Sequence, residues 1–165
     1  MERARRVSAH PHTVIYMGKG QPRQPKRDPK FDIFLAIAKG DLVWVKQLID
    51  LDTDVNINSG KTPLHCAVEW QNPECASFLL DSGADINGRN SSGETPLRVA
   101  VETSHTLQIY APEVARILIE RGADVNAQGP WNSILHEALR SQKSDSDDKE
   151  LIELLKASGA NIWPT

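Results

Sequence analysis

The sequence predicts an all-α solenoid of stacked helix-turn-helix units joined by turn or hairpin loops, and three observations carry that prediction. The phrase Thr62-Pro63-Leu64-His65-Cys66-Ala67 returns thirty-three residues later as Thr95-Pro96-Leu97-Arg98-Val99-Ala100, and more loosely as Ser133-Ile134-Leu135-His136-Glu137-Ala138. A second phrase, Ser82-Gly83-Ala84-Asp85-Ile86-Asn87, returns as Arg121-Gly122-Ala123-Asp124-Val125-Asn126 and as Ser158-Gly159-Ala160-Asn161-Ile162-Trp163. Self-similarity at a fixed period is the mark of a repeat architecture. Third, aromatics make up only 5% of the chain and its β-branched residues form no alternating runs, which argues against a β-sandwich.

Each phrase performs a structural task. Thr62 and Thr95 stand where a helix N-cap belongs, and Pro63 and Pro96 follow at the first helical position, where a missing N–H costs nothing. Leu79 and Leu80 close a second helix, and Gly83 and Gly122 stop such helices in the left-handed conformation. Asp85-Ile86-Asn87 then leads into a turn.

The two phrases, in fixed order at this period, resemble the ankyrin repeat. The resemblance covers about residues 30–165. Working back from Leu64, Ile33-Phe34-Leu35-Ala36 aligns with Leu64-His65-Cys66-Ala67 as a first, atypical repeat. The repeats fall near 29–58, 59–91, 92–130 and 131–165. Because one such unit cannot bury its apolar face alone, stability comes from stacking, and the end units need polar outer faces. Phe31 stands in the capping position of repeat one, and Lys39, Asp41, Lys46 and Gln47 supply its polar groups. The segment from Lys149 to Lys156 offers Leu151, Ile152, Leu154 and Leu155 on one side as the C-terminal cap. Trp44 is assigned to the core, on the second helix facing the first.

Residues 1–30 hold eight Lys or Arg against Glu2 and Asp28, a net +6, so the remainder carries −9 of the overall −3. The Pro-rich stretch Gln21–Pro29 lacks the apolar content to fold, so residues 1–28 read as a disordered basic tail ahead of a repeat domain at 29–165. The tail is compatible with a nuclear signal at Pro25-Lys26-Arg27, a transit segment or a passive linker. No run approaches eighteen apolar residues, and Cys66 and Cys75 lack metal-site or disulfide spacing. The expectation is a soluble protein of the cytoplasm or nucleus with reduced cysteines.

Repeats three and four are longer than repeat two by six and four residues, counted between their conserved leucines, and the extra residues are expected between the two helices, at Thr103–Tyr110 and Ser141–Asp148. Ser144 and Ser146, set among aspartates, have the character of an acidic-directed kinase substrate. Trp131 replaces the turn glycine represented by Gly60 and Gly93.

Relatives of the resembled family bind partner proteins along their turn tips and first helices. Carried over by position, this implies a surface of Asn58, Ser59 and Lys61, then Ser91, Ser92 and Glu94, then Pro130, Trp131 and Asn132 at the tips. On the first helices it implies Glu69 and Trp70, Glu102 and Thr103, and Arg140. At about 10 Å per repeat, Trp70 and Trp131 stand about 20 Å apart. His65 and His136 are assigned to bridging backbone groups at the turns. With no nucleophile elbow, phosphate loop, dinucleotide fingerprint or zincin helix, neither catalysis nor a cofactor or metal is expected. The expected role is a scaffold for another protein, as a transcriptional co-regulator or inhibitor. The alternatives are an adaptor for a multiprotein complex, and a nucleic-acid-associated protein that uses the basic tail.

Overall fold

The structure is a computed structural model that describes residues 29–106, 112–127, 132–140 and 146–162. The basic tail, Pro130, Trp131 and Ser144 therefore lie outside the described residues. Among the described residues eight helices follow in order: α1 (Pro29–Ala38), α2 (Leu42–Asp50), α3 (Pro63–Glu69), α4 (Pro73–Asp81), α5 (Pro96–Thr106), α6 (Pro112–Glu120), α7 (Ile134–Arg140) and α8 (Ser146–Ala157). No strand occurs among the described residues. The helices form four pairs in two layers, with α1, α3, α5 and α7 stacked in one and α2, α4, α6 and α8 in the other.

Local chemistry sets the helix boundaries. Thr62 caps α3 through a reciprocal box in which its side chain accepts from the His65 N–H while the His65 ring reaches back to the Thr62 N–H. Asp41 and Asn72 cap α2 and α4 by accepting from the N–H groups of Trp44 (3.0 Å) and Cys75 (2.9 Å). At the other end, Gly83 and Gly122 sit at φ 91° and 85°, so that Ala84 and Ala123 donate back to Leu79 and Leu118. A side chain there would be strained by φ alone, since a Cβ at either glycine meets nothing within 4 Å.

The Asp-x-Asn phrase is a clamp between repeats. Asp54, Asp85 and Asp124 each accept from the N–H of the asparagine two residues on. That fixes the asparagines so that Asn56, Asn87 and Asn126 accept from the N–H groups of Asp85 (2.7 Å), Asp124 (2.9 Å) and Asn161 (2.8 Å). Asn56 and Asn126 also donate to the carbonyls of Gly83 and Gly159, both at 3.0 Å. Backbone groups that a turn would leave bare are satisfied by the preceding repeat.

The core runs through the stack. Ile33, Leu64 and Leu97, at one position of successive repeats, are fully buried, and Leu135 is nearly so. Leu48, Leu79, Leu118 and Leu155 do the same from the second layer.

Four expectations need correction. Helix α1 begins at Pro29, so Phe31 lies inside its first turn and is not a cap; the fixed φ of proline suits a first turn and starts the helix earlier. The extra residues of repeats three and four do not all fall between helices. Helix α5 runs on to Thr106 and α8 starts at Ser146, leaving 107–111 and 141–145 outside the described residues. The Arg98–Glu102 pair at i, i+4 supports the longer α5. Trp44 packs on the core but is only half-buried, with the Lys39 ammonium 5.8 Å from its ring centroid. Finally, the outer face of repeat one is only partly polar: Lys39 is exposed there, but so are Leu35, Val43 and Leu51, and Lys46 leans the other way, onto the Phe78 ring of α4.

Candidate functional site

The expected surface follows the turn tips and the uncovered side of the first helices, and many of its polar groups already have work within the fold. Asn58 accepts from the Gly60 N–H (3.1 Å) and donates to the Arg89 carbonyl (3.0 Å), tying one tip to the next. The Ser91 N–H donates to the Gly60 carbonyl at 2.7 Å, and the N–H groups of Ser92 and Glu94 are both held by Asn90 Oδ1. The Ser59 N–H donates to the Lys61 carbonyl. The side chains of Asn58, Ser59, Ser91 and Ser92 remain exposed, on a backbone held by these bonds.

Behind the tips the structure assembles a charged ladder. Lys61 and Glu69 pair side chain to side chain across α3, each a little over a third exposed. One repeat on, Glu94 occupies the position of Lys61 and Glu102 that of Glu69, so the same geometry brings two carboxylates together. Burial and the neighbouring Glu94 carboxylate hold Glu102 above the usual carboxylate range, and the Arg98 guanidinium offsets part of the rise. In repeat four, Asn132 is exposed, and the exposed Arg140 lies 3.7 Å from Glu137. Thr103 is partly buried and its hydroxyl donates to the Val99 carbonyl at 2.7 Å, so it has little left to offer a partner. Pro130 and Trp131 are outside the described residues.

Trp70 is the outstanding member. It forms the C-cap of α3 with its N–H on the Cys66 carbonyl, and its side chain is 59% exposed. Gln71 follows in a left-handed conformation at φ 49°, turning the chain directly into α4. Phe34, Trp44 and Phe78, by contrast, are each partly buried.

The histidine expectation holds for His65. It is fully buried, with Nδ1 2.8 Å from the Thr62 hydroxyl and Nε2 3.0 Å from the Glu94 carbonyl. A carbonyl only accepts, so Nε2 carries the proton and Nδ1 accepts. Burial holds its pKa below the ordinary histidine value. Above pH 6.5 the ring is neutral in both the folded and unfolded chain. As pH falls below 6.5 the unfolded chain takes up a proton that the folded one resists, so stability drops until the folded pKa is reached. Urea titrations at pH 7.0 and 5.5 should show this acid loss, with a slope no steeper than about 1.4 kcal/mol per pH unit, the limit for one proton. His65→Gln should flatten it, and an unchanged slope in that variant would assign the loss to other groups.

Arg98 is the residue whose role sequence reasoning missed. It stands in the position of His65, is only 2% exposed, and its Nη1 donates to the Asn132 carbonyl at 2.5 Å. Asn132 aligns with Glu94, so the arginine spans the same gap between repeats as the histidine does. Its Nε lies 3.3 Å from Glu102, an ion-pair distance without hydrogen-bond alignment. The signal was present in the phrase alignment, but only the neighbouring turn shows what the guanidinium reaches. His136 is half-buried, with its backbone N–H on Ser133 Oγ at 3.1 Å.

The thiols take no part in this surface. Cys66 and Cys75 are buried and free; burial pushes Cys66 up to about 11 and raises Cys75 as well, which keeps both protonated and unreactive. No helix among the described residues is long and apolar enough to cross a membrane.

Comparison with known proteins agrees with this architecture. A family model of ankyrin repeats in three copies matches residues 33–129. The chain is 37% identical over 84 residues to ankyrin repeat domain-containing protein 13C-B of Xenopus laevis, covering 48% of this chain and 16% of that protein. It is 40% identical over 50 residues to Rabankyrin-5 of Mus musculus, covering 30% of this chain and 4% of the relative. It is 32% identical over 79 residues to ankyrin repeat and SOCS box protein 9 of Homo sapiens, covering 47% of this chain and 27% of the relative. Each match thus spans less than a third of the relative's length. With the family model covering more than half of the chain, and its helix pairs, caps and inter-repeat bonds in place, this protein belongs to the ankyrin-repeat family.

Proposed function

We propose that this protein is a non-catalytic scaffold that holds another protein along its first helices and turn tips, acting inside the cell as a transcriptional co-regulator or inhibitor. Ankyrin repeats are protein–protein interaction modules, and the finer role rests on the surface and charge of this chain. The observation that carries the reading is Trp70. An indole 59% exposed on an inner-helix terminus contributes little to the core, whereas tryptophan dominates binding energy where two proteins meet. It sits beside the Lys61–Glu69 pair and one repeat from the Glu94–Glu102 carboxylates, so an apolar anchor is flanked by charges that select a partner. Pro130, Trp131, Asn132 and Arg140 extend the proposed surface toward repeat four.

A second reading is favoured by the charge division, +6 in residues 1–30 against −9 beyond. The tail associates with nucleic acid while the acidic body repels it. One experiment separates the two: affinity purification with wild type and Trp70→Ala, each with and without residues 1–28. A partner lost with Trp70 and retained without the tail supports the scaffold. Trp70→Ala should weaken that partner by at least about 2 kcal/mol, roughly thirtyfold in Kd, with no change in melting temperature. Interactors that follow only the tail reject it.

A further inference from the structure

The N-terminal end of the stack presents an exposed apolar face of Leu35, Val43 and Leu51. The positions that face a preceding repeat are identified by repeat two: Cys66 Sγ reaches the Phe34 carbonyl of α1, and the Phe78 ring lies 5.4 Å from the Lys46 ammonium of α2. The same positions one repeat earlier are Leu35 and Gln47. Leu35 is 40% exposed, and Val43 (66%) and Leu51 (42%) lie one turn on either side of Gln47 along the same side of α2. Trp44 stands where fully buried Cys75 stands in repeat two, yet it is only half-buried. Beside this stripe the Gln47 Oε1 is buried and finds no hydrogen-bond donor among the described residues. An apolar rim around an acceptor without a donor fits a short segment that brings both side chains and an N–H or O–H.

Residues 1–28 contain one run of four consecutive apolar residues, Val14-Ile15-Tyr16-Met17. Eleven residues separate Met17 from Pro29, a tether of up to about 40 Å, while α2 is only about 14 Å long. Tethering would make such docking intramolecular and raise the effective concentration of the segment at this face. We propose that Val14–Met17 docks on the open face of repeat one formed by Leu35, Val43, Gln47 and Leu51, completing the stack as its N-terminal cap. The rest of the tail, Pro-rich and charged, remains a tether that holds the basic stretch Arg23–Lys30 beside the first repeat.

The test uses the full chain, since the substitutions lie either in the tail or on an exposed position. Methyl NMR spectra and amide exchange are compared for wild type, Ile15→Asp/Tyr16→Asp and Val43→Asp at two protein concentrations. In the tail variant the Leu35, Val43 and Leu51 methyl signals should shift and amides of 42–51 should exchange about tenfold faster, with repeats three and four unchanged. Val43→Asp should shift the Ile15 methyl reciprocally. Signals of repeat one that ignore the tail substitutions overturn the proposal. Shifts that follow protein concentration rather than residues 15 and 16 also overturn it, because they assign the face to a second copy.

Discussion

Leu97→Ala is expected to lower the free energy of unfolding by about 2–5 kcal/mol, the cost of lost apolar contacts plus a cavity that rigid neighbours do not fill. Leu97 has no exposed surface and lies in α5, between α3 and α7 of the same layer and against α6 of the other. In a stacked array that position matters twice, because the residue supports its own repeat and two interfaces. Leu64→Ala in α3, also fully buried, should fall in the same range. Urea denaturation followed by far-ultraviolet circular dichroism measures both. A loss within about 0.5 kcal/mol, as for a surface site, would mean that the register of the repeats is wrong.

Arg98→Ala carries the second large effect, expected at roughly 2–4 kcal/mol. The substitution removes the donor from the Asn132 carbonyl and the cation from beside Glu102, which the Glu94 carboxylate already crowds. The figure is set below that of a fully buried ion pair because the Glu102 side chain is 37% exposed and water screens part of the charge. Arg98→His is the informative companion. In repeat two a histidine at this position reaches the next turn's carbonyl at 3.0 Å, so the histidine variant should recover much of the loss. Chemical denaturation of the three proteins at pH 7 decides the matter. If histidine is no better than alanine, the bridge between repeats is not what Arg98 contributes.

The two predictions divide at what could be foreseen. The core position of Leu97 follows from the recurrence of a phrase, because a 33-residue period with a capping threonine and a first-turn proline leaves one side of a short helix to face its neighbours. The role of Arg98 does not follow, since an arginine in a histidine's place reads equally as an exposed charge. Only the approach of the Asn132 carbonyl, 34 residues away in sequence, gives the guanidinium its partner. The candidate surface shows the same division. The exposure of Trp70 was legible from its register on the open face of the first helix, whereas Thr103, by position an equal candidate, has its hydroxyl engaged by the Val99 carbonyl.

What the sequence determined by itself is the repeating unit: the caps at Thr62 and Thr95, the left-handed stops at Gly83 and Gly122, and the alternation of two helices per unit. These depend on groups within a few residues of one another, and their partners are written nearby in the chain. Only the tertiary structure decided which members of the unit stay open. Leu35 and Trp44 occupy positions that are buried in the following repeat, yet they are uncovered or half-covered because no preceding repeat packs against them among the described residues. Glu94 and Glu102 share a site because stacking places one repeat's turn beside its own helix and against the next. Burial and electrostatic coupling depend on what lies across the interface, and the repeat pattern is the same whether or not a neighbour is there.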